Sequence, residues 1–192
     1  MTTKENVNKI IDATFRVLQD VYENQREKGD ARKGQPLSRI VFPLKRDGTL
    51  RVSEQELRFV FVEQLNKEIG QGWDVYYSVE TPTQDTYNFQ KEPRQDPCGQ
   101  SAMFDLVIFD NQFHRIALIE FKANNPCEHD YKKDFVKLVN SEEGDELDKF
   151  LIEIVVNADS GTIESLRAKI KGNESIFKCW SLGKGMEISI NK

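Results

Sequence analysis

The sequence predicts an α/β fold in which helices cover a central β-sheet, and two observations support this prediction. The segments 102–110, 115–123 and 150–158 are apolar at most positions, which is typical of strands that are buried on both faces. Amphipathic segments at 5–24 and 54–69 carry apolar side chains at helical spacing, so each has one face that must be covered. Packing such helices on such strands buries both.

The composition indicates one domain with a real core. The chain has 192 residues, of which 38% are hydrophobic and 31% are charged, and this excludes a wholly disordered chain. We expect a single domain over 1–192, divided into an N-terminal helix and arm (1–50), a core (50–158) and a C-terminal helix with strands (159–192). The net charge of -5 excludes a bulk cationic nucleic-acid coat, although a local basic patch or a metal held by carboxylates could still bind phosphates.

The expected compartment is the cytoplasm. Three cysteines, Cys98, Cys127 and Cys179, are too few for a disulfide framework, and their odd number favours a reducing environment. No apolar stretch is long enough to span a membrane, so we expect no membrane partner. The polar start of the chain lacks the apolar core of a secretion signal.

Three features are predicted after the first helix. Glycines and a proline indicate a loop over 25–37. The segment 39–44 predicts a short strand, and Pro43 places it at the edge of a sheet or at the end of a strand. Asp47 and Gly48 then indicate a turn.

This part of the chain is also basic. From Arg26 to Arg46, seven Lys and Arg residues stand against Glu27 and Asp30. A solvated loop and a phosphate-facing patch explain this excess equally well.

The second amphipathic helix has a recognisable start. Ser53, followed three residues later by Glu56, forms a capping box. After this helix, residues 73–79 predict a strand that ends at Glu80. The polar stretch 81–101 is expected to be irregular, and long loops of this kind are usually functional or mobile.

The remaining elements alternate. The strands at 102–110, 115–123 and 150–158 are separated or followed by predicted helices at 129–140 and 161–171. Two short strands in SIFKCWSL and MEISIN complete the chain.

A four-residue loop joins the two strongest strands as a hairpin, and it sets their register. If Asp110 pairs with Arg115, Asp105 lies directly opposite Glu120, with about 5 Å between their Cβ atoms. Because side chains alternate along a strand, Lys122 shares a face with Glu120. The opposite face is expected to gather apolar residues only: Phe104, Leu106, Ile108, Ala117, Ile119 and Phe121.

Two opposed carboxylates in a buried sheet require positive charge nearby. Unpaired, they would cost several kcal/mol per charge. Lys122 supplies one positive charge, and a divalent cation would supply the rest, since carboxylates and a main-chain carbonyl suit Mg²⁺ or Mn²⁺. A metal activates a bound water, and a lysine can orient it or stabilise developing negative charge, which suits phosphodiester hydrolysis. A structural ion pair in the core is the alternative.

The spacing of these residues resembles a known signature. Asp105, fourteen intervening residues and then Glu-Phe-Lys at 120–122 resemble the D…ExK motif of the PD-(D/E)XK nuclease superfamily, the restriction-endonuclease-like fold. The element order over about 50–158 is similar to the family's αβββαβ core, a central mixed β-sheet flanked by helices. The layout is most similar to the N-terminal nuclease domain of type I restriction enzyme motor subunits. Phe104 stands where the family often has a proline.

The resemblance implies a role for each residue of the motif. It implies Mg²⁺ or Mn²⁺ held by Asp105 and Glu120 together with the main-chain carbonyl of Phe121. It implies that Lys122 positions the attacking water. The family also has an acidic residue on the helix before the strands, and Glu54 is favoured for that catalytic role.

Other side chains near the motif have two interpretations. Glu56 is better explained as the capping-box partner than as the helix acid. Glu80 is either an added metal ligand or an ordinary exposed strand end. Lys132, Lys133 and Lys137 either contact phosphates or form a solvated helix face.

The resemblance implies a metal-dependent nuclease that hydrolyses phosphodiester bonds, with DNA as the expected partner and restriction or defence as the implied setting. A non-catalytic nucleic-acid-binding or assembly module that retains the fold is one alternative. Another is a junction-resolving or repair nuclease that acts as a homodimer or in a larger complex. The apolar face of the first helix could then pack on its own core or on a second copy.

Overall fold

The computed structural model of the chain describes residues 1–26 and 37–190. Within these residues, four helices flank a mixed sheet of seven strands, in agreement with the predicted α/β class. The helices are α1 (Thr3–Arg26), α2 (Glu54–Gly70), α3 (Glu128–Leu138) and α4 (Ser160–Ile170). The strands are β1 (Tyr76–Asn88), β2 (Arg94–Gln95), β3 (Gln100–Phe109), β4 (Arg115–Ala123), β5 (Asp148–Val156), β6 (Phe177–Leu182) and β7 (Met186–Glu187). Most of the predicted loop 25–37, with the first part of the basic segment, lies outside the described residues.

The sheet has the strand order β2-β1-β3-β4-β5-β6-β7. β4, β5 and β6 run parallel, and the other neighbouring pairs are antiparallel. A hairpin joins β3 to β4, whereas α3 and α4 form the crossovers that the two parallel pairs require. The carboxyl ends of β4 and β5 therefore lie side by side at one end of the sheet.

Both faces of the central strands are buried, as their apolar sequences predicted. Ile119 and Phe121 of β4 pack in a core shared with α1 and α2. Leu118, on the other face of β4, packs in a core shared with α3 and α4. The apolar face of α1 is therefore covered by this chain's own sheet. Across the described residues, no helix combines the length and the apolar character that crossing a membrane requires.

Two predictions for the irregular parts of the chain are wrong. The segment 39–44 forms only an isolated bridge between Leu44 and Leu50, because Pro43 lacks an N–H and the Phe42 backbone instead bonds the side chain of Gln25. β1 continues to Asn88, through much of the stretch expected to be irregular, and its pairing with β3 shifts between Pro82 and Thr86.

The register of the β3–β4 hairpin is as predicted in its interior, where Leu106 pairs with Ile119. The closing pair is different, because Arg115 pairs with Phe109 and not with Asp110. The Asp110 carboxylate instead closes the turn by accepting from the backbone N–H of His114 at 2.8 Å. Ile116 is the extra residue of the resulting bulge.

The prediction for Phe104 is also wrong. Phe104 lies in the core beside α3 and α4, on the same face as Val107, three residues away. Strict alternation would place these two residues on opposite faces. β3 is therefore irregular between them, and this irregularity includes Asp105.

Candidate active site

The irregularity in β3 gives Asp105 a particular hydrogen bond. Regular pairing with β1 is interrupted here, since Val79 pairs with Leu106 and Thr81 with Phe104, while Glu80 and Asp105 are not paired. Asp105 Oδ2 accepts from the backbone N–H of Phe121 in β4, at 2.8 Å. A main-chain donor of β4 thus holds the carboxylate in place. The donor residue, Phe121, lies between Glu120 and Lys122 in sequence.

Glu120 is the most buried acid of the predicted motif, with 2% of its surface exposed. Its carboxylate pairs with Lys137 of α3, which also donates to the backbone oxygen of Met103 at 2.8 Å. Burial and the charges of Asp134 and Asp105 hold the pKa of Glu120 well above its ordinary value, against the effect of Lys137. The phosphate-contacting role expected for Lys137 does not fit its burial, since it is 6% exposed and engaged with Glu120.

Lys122 lies beside an acid that belongs to α3. Its Nζ is 2.5 Å from Asp134 Oδ2 and 4.0 Å from Glu54 Oε1. Burial lowers the pKa of Lys122, but Asp134 and then Glu54 raise it, and the net shift is upward. Asp134 is buried and also lies 3.2 Å from Lys137, so it links the two lysines.

The first turn of α2 separates the roles of its two acids. Glu56 is buried and accepts from the backbone N–H of Ser53 at 3.0 Å, which confirms the capping box. Glu54 takes no part in the capping box and is the acid of this turn that lies near Lys122. Its pKa is raised by burial and by Asp105, against the effect of Lys122.

Glu80 faces an arginine. The guanidinium of Arg58, on α2, pairs with the Glu80 carboxylate and lies 3.7 Å from Asp105 Oδ1. Glu80 has a φ of +48°, a left-handed conformation that is unusual for a residue with a side chain. The carboxylates of Glu80 and Asp105 thus converge on one guanidinium.

Lys132 and Lys133 are partly exposed on α3 and lie beside acids of the same helix. Lys132 Nζ is 3.0 Å from Glu128 Oε1, and Lys133 Nζ is 4.0 Å from Asp130 Oδ1. These pairs reduce the positive charge that this face offers to a phosphate.

Two residues of the site were not predicted, Arg58 and Asp134. Helical spacing in the sequence would have placed both residues on the face of their helix that points toward the sheet. Arg58 is four residues after Glu54, and Asp134 is three residues after the buried Tyr131, so each shares a face with a residue that points toward the sheet.

The donor chemistry of the site fits a hard divalent cation. Asp105 and Glu120 offer carboxylate oxygens, Glu54 lies nearby, and the pKa of Glu120 is raised by its burial and then by the charges of Asp134 and Asp105, which a cation would offset. The cluster is not a preformed cage, however. In residues 1–26 and 37–190, no group of three or more His, Cys, Asp or Glu side chains is arranged to hold a metal ion.

Comparison of the chain with protein-family models, with curated proteins and with solved structures found no match. The geometry of the site itself is therefore the basis for a functional proposal.

Proposed function

We propose that this protein is a metal-dependent nuclease with a restriction-endonuclease-like fold that hydrolyses phosphodiester bonds in DNA. The observation that supports this most is the convergence of Asp105, Glu120 and Lys122 at an irregularity between two buried strands. The helix α2, which precedes these strands, adds Glu54 to the same place. The order α2, β1, β3, β4, α3 and β5 agrees with the αβββαβ core expected for such a nuclease.

Each side chain has a role that its surroundings favour. Mg²⁺ or Mn²⁺ held by Asp105, Glu120 and the Phe121 carbonyl would supply an activated water and positive charge for the phosphate. Lys122 remains protonated because Asp134 and Glu54 raise its pKa, so it orients the attacking water by donating a hydrogen bond and stabilises developing negative charge. Glu54, whose pKa is raised, is placed to accept a proton from that water.

A specific observation favours the second candidate, a non-catalytic binding or assembly module. The carboxylates already have cationic neighbours: Arg58 beside Asp105, and Lys137 beside Glu120. A cluster neutralised in this way can be a structural ion-pair network. The two candidates differ in whether a divalent cation binds the folded chain through Asp105.

Thermal unfolding with increasing Mn²⁺ or Mg²⁺ tests this difference. Because a ligand that binds only the native state stabilises it, we expect the Tm to rise by about 5–10 °C at a hundredfold excess over the Kd. Asp105→Asn should remove this rise while keeping an acceptor for the Phe121 N–H. Asp110→Asn, on the same hairpin, is the matched control and should keep it.

Cleavage of single-stranded and duplex DNA completes the test. Asp105→Asn and Lys122→Met should each abolish cleavage in variants that remain folded, since one removes a metal ligand and the other the donor to the water. Cleavage retained in both variants would exclude this site as the catalytic centre. Equal metal stabilisation in the wild type and in Asp105→Asn would favour the non-catalytic module.

A further inference from the structure

The described part of the arm between α1 and α2, residues 37–53, carries an unusual concentration of exposed positive charge. Within 37–53, Arg39, Lys45, Arg46 and Arg51 are all exposed, and the chain as a whole has a net charge of -5. Among the described residues, none of these four forms an ion pair. Asp47, the only acid in this part of the arm, is held by Thr49, whose backbone N–H donates to it at 2.9 Å.

The arm is held in place by the chain's own contacts. Lys45 and Arg51 flank a tight turn, in which the Lys45 N–H donates to the Thr49 oxygen at 2.8 Å. Asn124, directly after β4, donates its side-chain amide to the Val52 oxygen at 2.7 Å. The basic side chains therefore project from a defined surface next to the carboxyl end of β4.

Two adjoining cavities lie between this surface and Glu54 of the candidate active site. One cavity of about 660 Å³ is lined by Tyr22, Lys45, Thr49 and Asn157, among others. A second, of about 360 Å³, is lined by Arg51, Glu54 and Ala123. Both are bordered by Val52 and Asn124, so the two cavities adjoin at the carboxyl ends of β4 and β5. In sheets with parallel strands this end is the usual place for a ligand.

We propose that the arm and these cavities bind a single nucleic-acid strand and lead it to the carboxylate site. Lys45, Arg46 and Arg51 contact successive backbone phosphates, and the larger cavity receives an unpaired base. This proposal rests on the proposed function in one respect only, the path of the strand. The strand is expected to pass Glu54 and to reach Asp105, where the proposed nuclease cleaves it.

The chemistry of these cavities favours a single strand over a duplex. The larger cavity has the volume of a small-molecule site, and a base can enter such a cavity only when it is unpaired, because a duplex holds its bases inside the stack. Its lining offers the exposed side chains of Thr49 and Asn157 as hydrogen-bonding groups for a base, whereas Tyr22 is buried and packs on Phe42. Single-strand sites of low sequence specificity follow the backbone with a positively charged groove, which Lys45, Arg46 and Arg51 would form here.

Fluorescence anisotropy with labelled single-stranded DNA and with the matching duplex tests the proposal, in EDTA and over a range of NaCl. The test variant is Lys45→Ala/Arg46→Ala/Arg51→Ala. The control is Lys132→Ala/Lys133→Ala/Lys171→Ala, which removes the same charge from α3 and the end of α4. Each lost phosphate contact reduces the magnitude of the slope of log K against log salt concentration by roughly 0.7. We therefore expect this magnitude to fall by about 2 in the arm variant and by much less in the control.

A second variant tests the cavity separately. Thr49→Phe narrows the cavity without changing the charge, so the preference for the single strand should fall while the salt slope stays at the wild-type value. Absence of binding, a preference of the wild type for duplex, or equal loss of slope in both triple variants would overturn the proposal. These measurements contain no metal, so they test strand binding separately from the proposed nuclease activity. If the arm binds a single strand but metal does not stabilise the protein, the nuclease proposal is refuted and the strand-binding proposal stands.

Discussion

At the scale of single residues, Arg58 is the side chain whose charge bears most directly on the metal proposal. Its guanidinium lies 3.7 Å from Asp105 Oδ1 and also pairs with Glu80. Two unit charges a few Å apart near a protein surface interact by a few kcal/mol. A cation bound by Asp105 would therefore be repelled by Arg58, and the arginine lowers the affinity of the site for metal.

Arg58→Gln should consequently tighten Mn²⁺ binding, by about tenfold if the repulsion is worth about 1.4 kcal/mol. Isothermal titration with Mn²⁺ measures this directly. Arg58→Lys keeps the positive charge and is the control, with an affinity near that of the wild type. Weaker binding in Arg58→Gln would mean that the arginine organises the carboxylates for the metal and does not compete with it.

At the scale of the elements, β1 depends on a distant acid. Glu143 is 1% exposed, at the end of a 3₁₀ helix, although it lies in an acidic run of the sequence. Its carboxylate accepts from the backbone N–H groups of Gln84 and Asp85, at 2.9 and 3.0 Å. It also accepts from the Tyr87 hydroxyl at 2.9 Å and from Arg115 at 3.0 Å. Gln84 and Asp85 lie where the pairing of β1 with β3 shifts.

Removal of this carboxylate should therefore destabilise the chain strongly. We expect Glu143→Ala to lower the free energy of unfolding by about 3–5 kcal/mol, since it leaves several donors unpaired and removes the carboxylate from a partly buried arginine. Urea unfolding measures the loss. Glu142→Ala, at the exposed neighbouring position, should change stability by less than about 0.5 kcal/mol. Similar small losses in both variants would show that β1 holds its shape without Glu143.

The contrast between β1 and β4 shows which features a sequence can reveal. β4 was predicted with its observed bounds, because six of its nine residues are apolar and the hairpin loop beside it is short. The end of β1 was missed, because its buried residues are separated by polar ones and its stability comes from Glu143, far along the chain. The site divides in the same way: Glu120 and Lys122 follow from alternation along β4, whereas Asp105 bonds the Phe121 N–H at an irregularity and does not form the regular pair with Glu120 that was expected. The approach of Asp134 and Lys137 depends on how α3 packs across the sheet.

At the scale of the whole molecule, the sheet contains a second buried acid beside the site. Glu153 of β5 is fully buried and is the register partner of Lys122 on one side and of Cys179 on the other. It accepts from the Tyr131 hydroxyl at 2.5 Å and from the Asn125 N–H at 2.7 Å. Burial nevertheless raises the pKa of Glu153 to about 7, from an ordinary value of 4.5.

This shift makes the stability of the fold depend on pH. Below pH 4.5 Glu153 is protonated in both the folded and the unfolded chain, so its burial has no ionic cost. As the pH rises toward 7, the unfolded chain releases this proton first, and the folded state loses on the order of 3 kcal/mol. Glu120, whose pKa is also raised, acts in the same direction.

We therefore expect the free energy of unfolding, measured with urea in EDTA, to fall between pH 4.5 and pH 7. Glu153→Gln cannot ionise at this position and should show a shallower fall, with the remainder due to other carboxyls whose pKa is raised, Glu120 and Glu54 among them. Glu164→Gln, at an exposed position on α4, should follow the wild-type curve. An unchanged slope in Glu153→Gln would mean that Glu153 stays ionised in the folded chain. Lys122 and Lys169, which lower the pKa of Glu153, would then offset the cost of burying its charge fully. The network of opposite charges at the candidate site would in that case include Glu153 of β5.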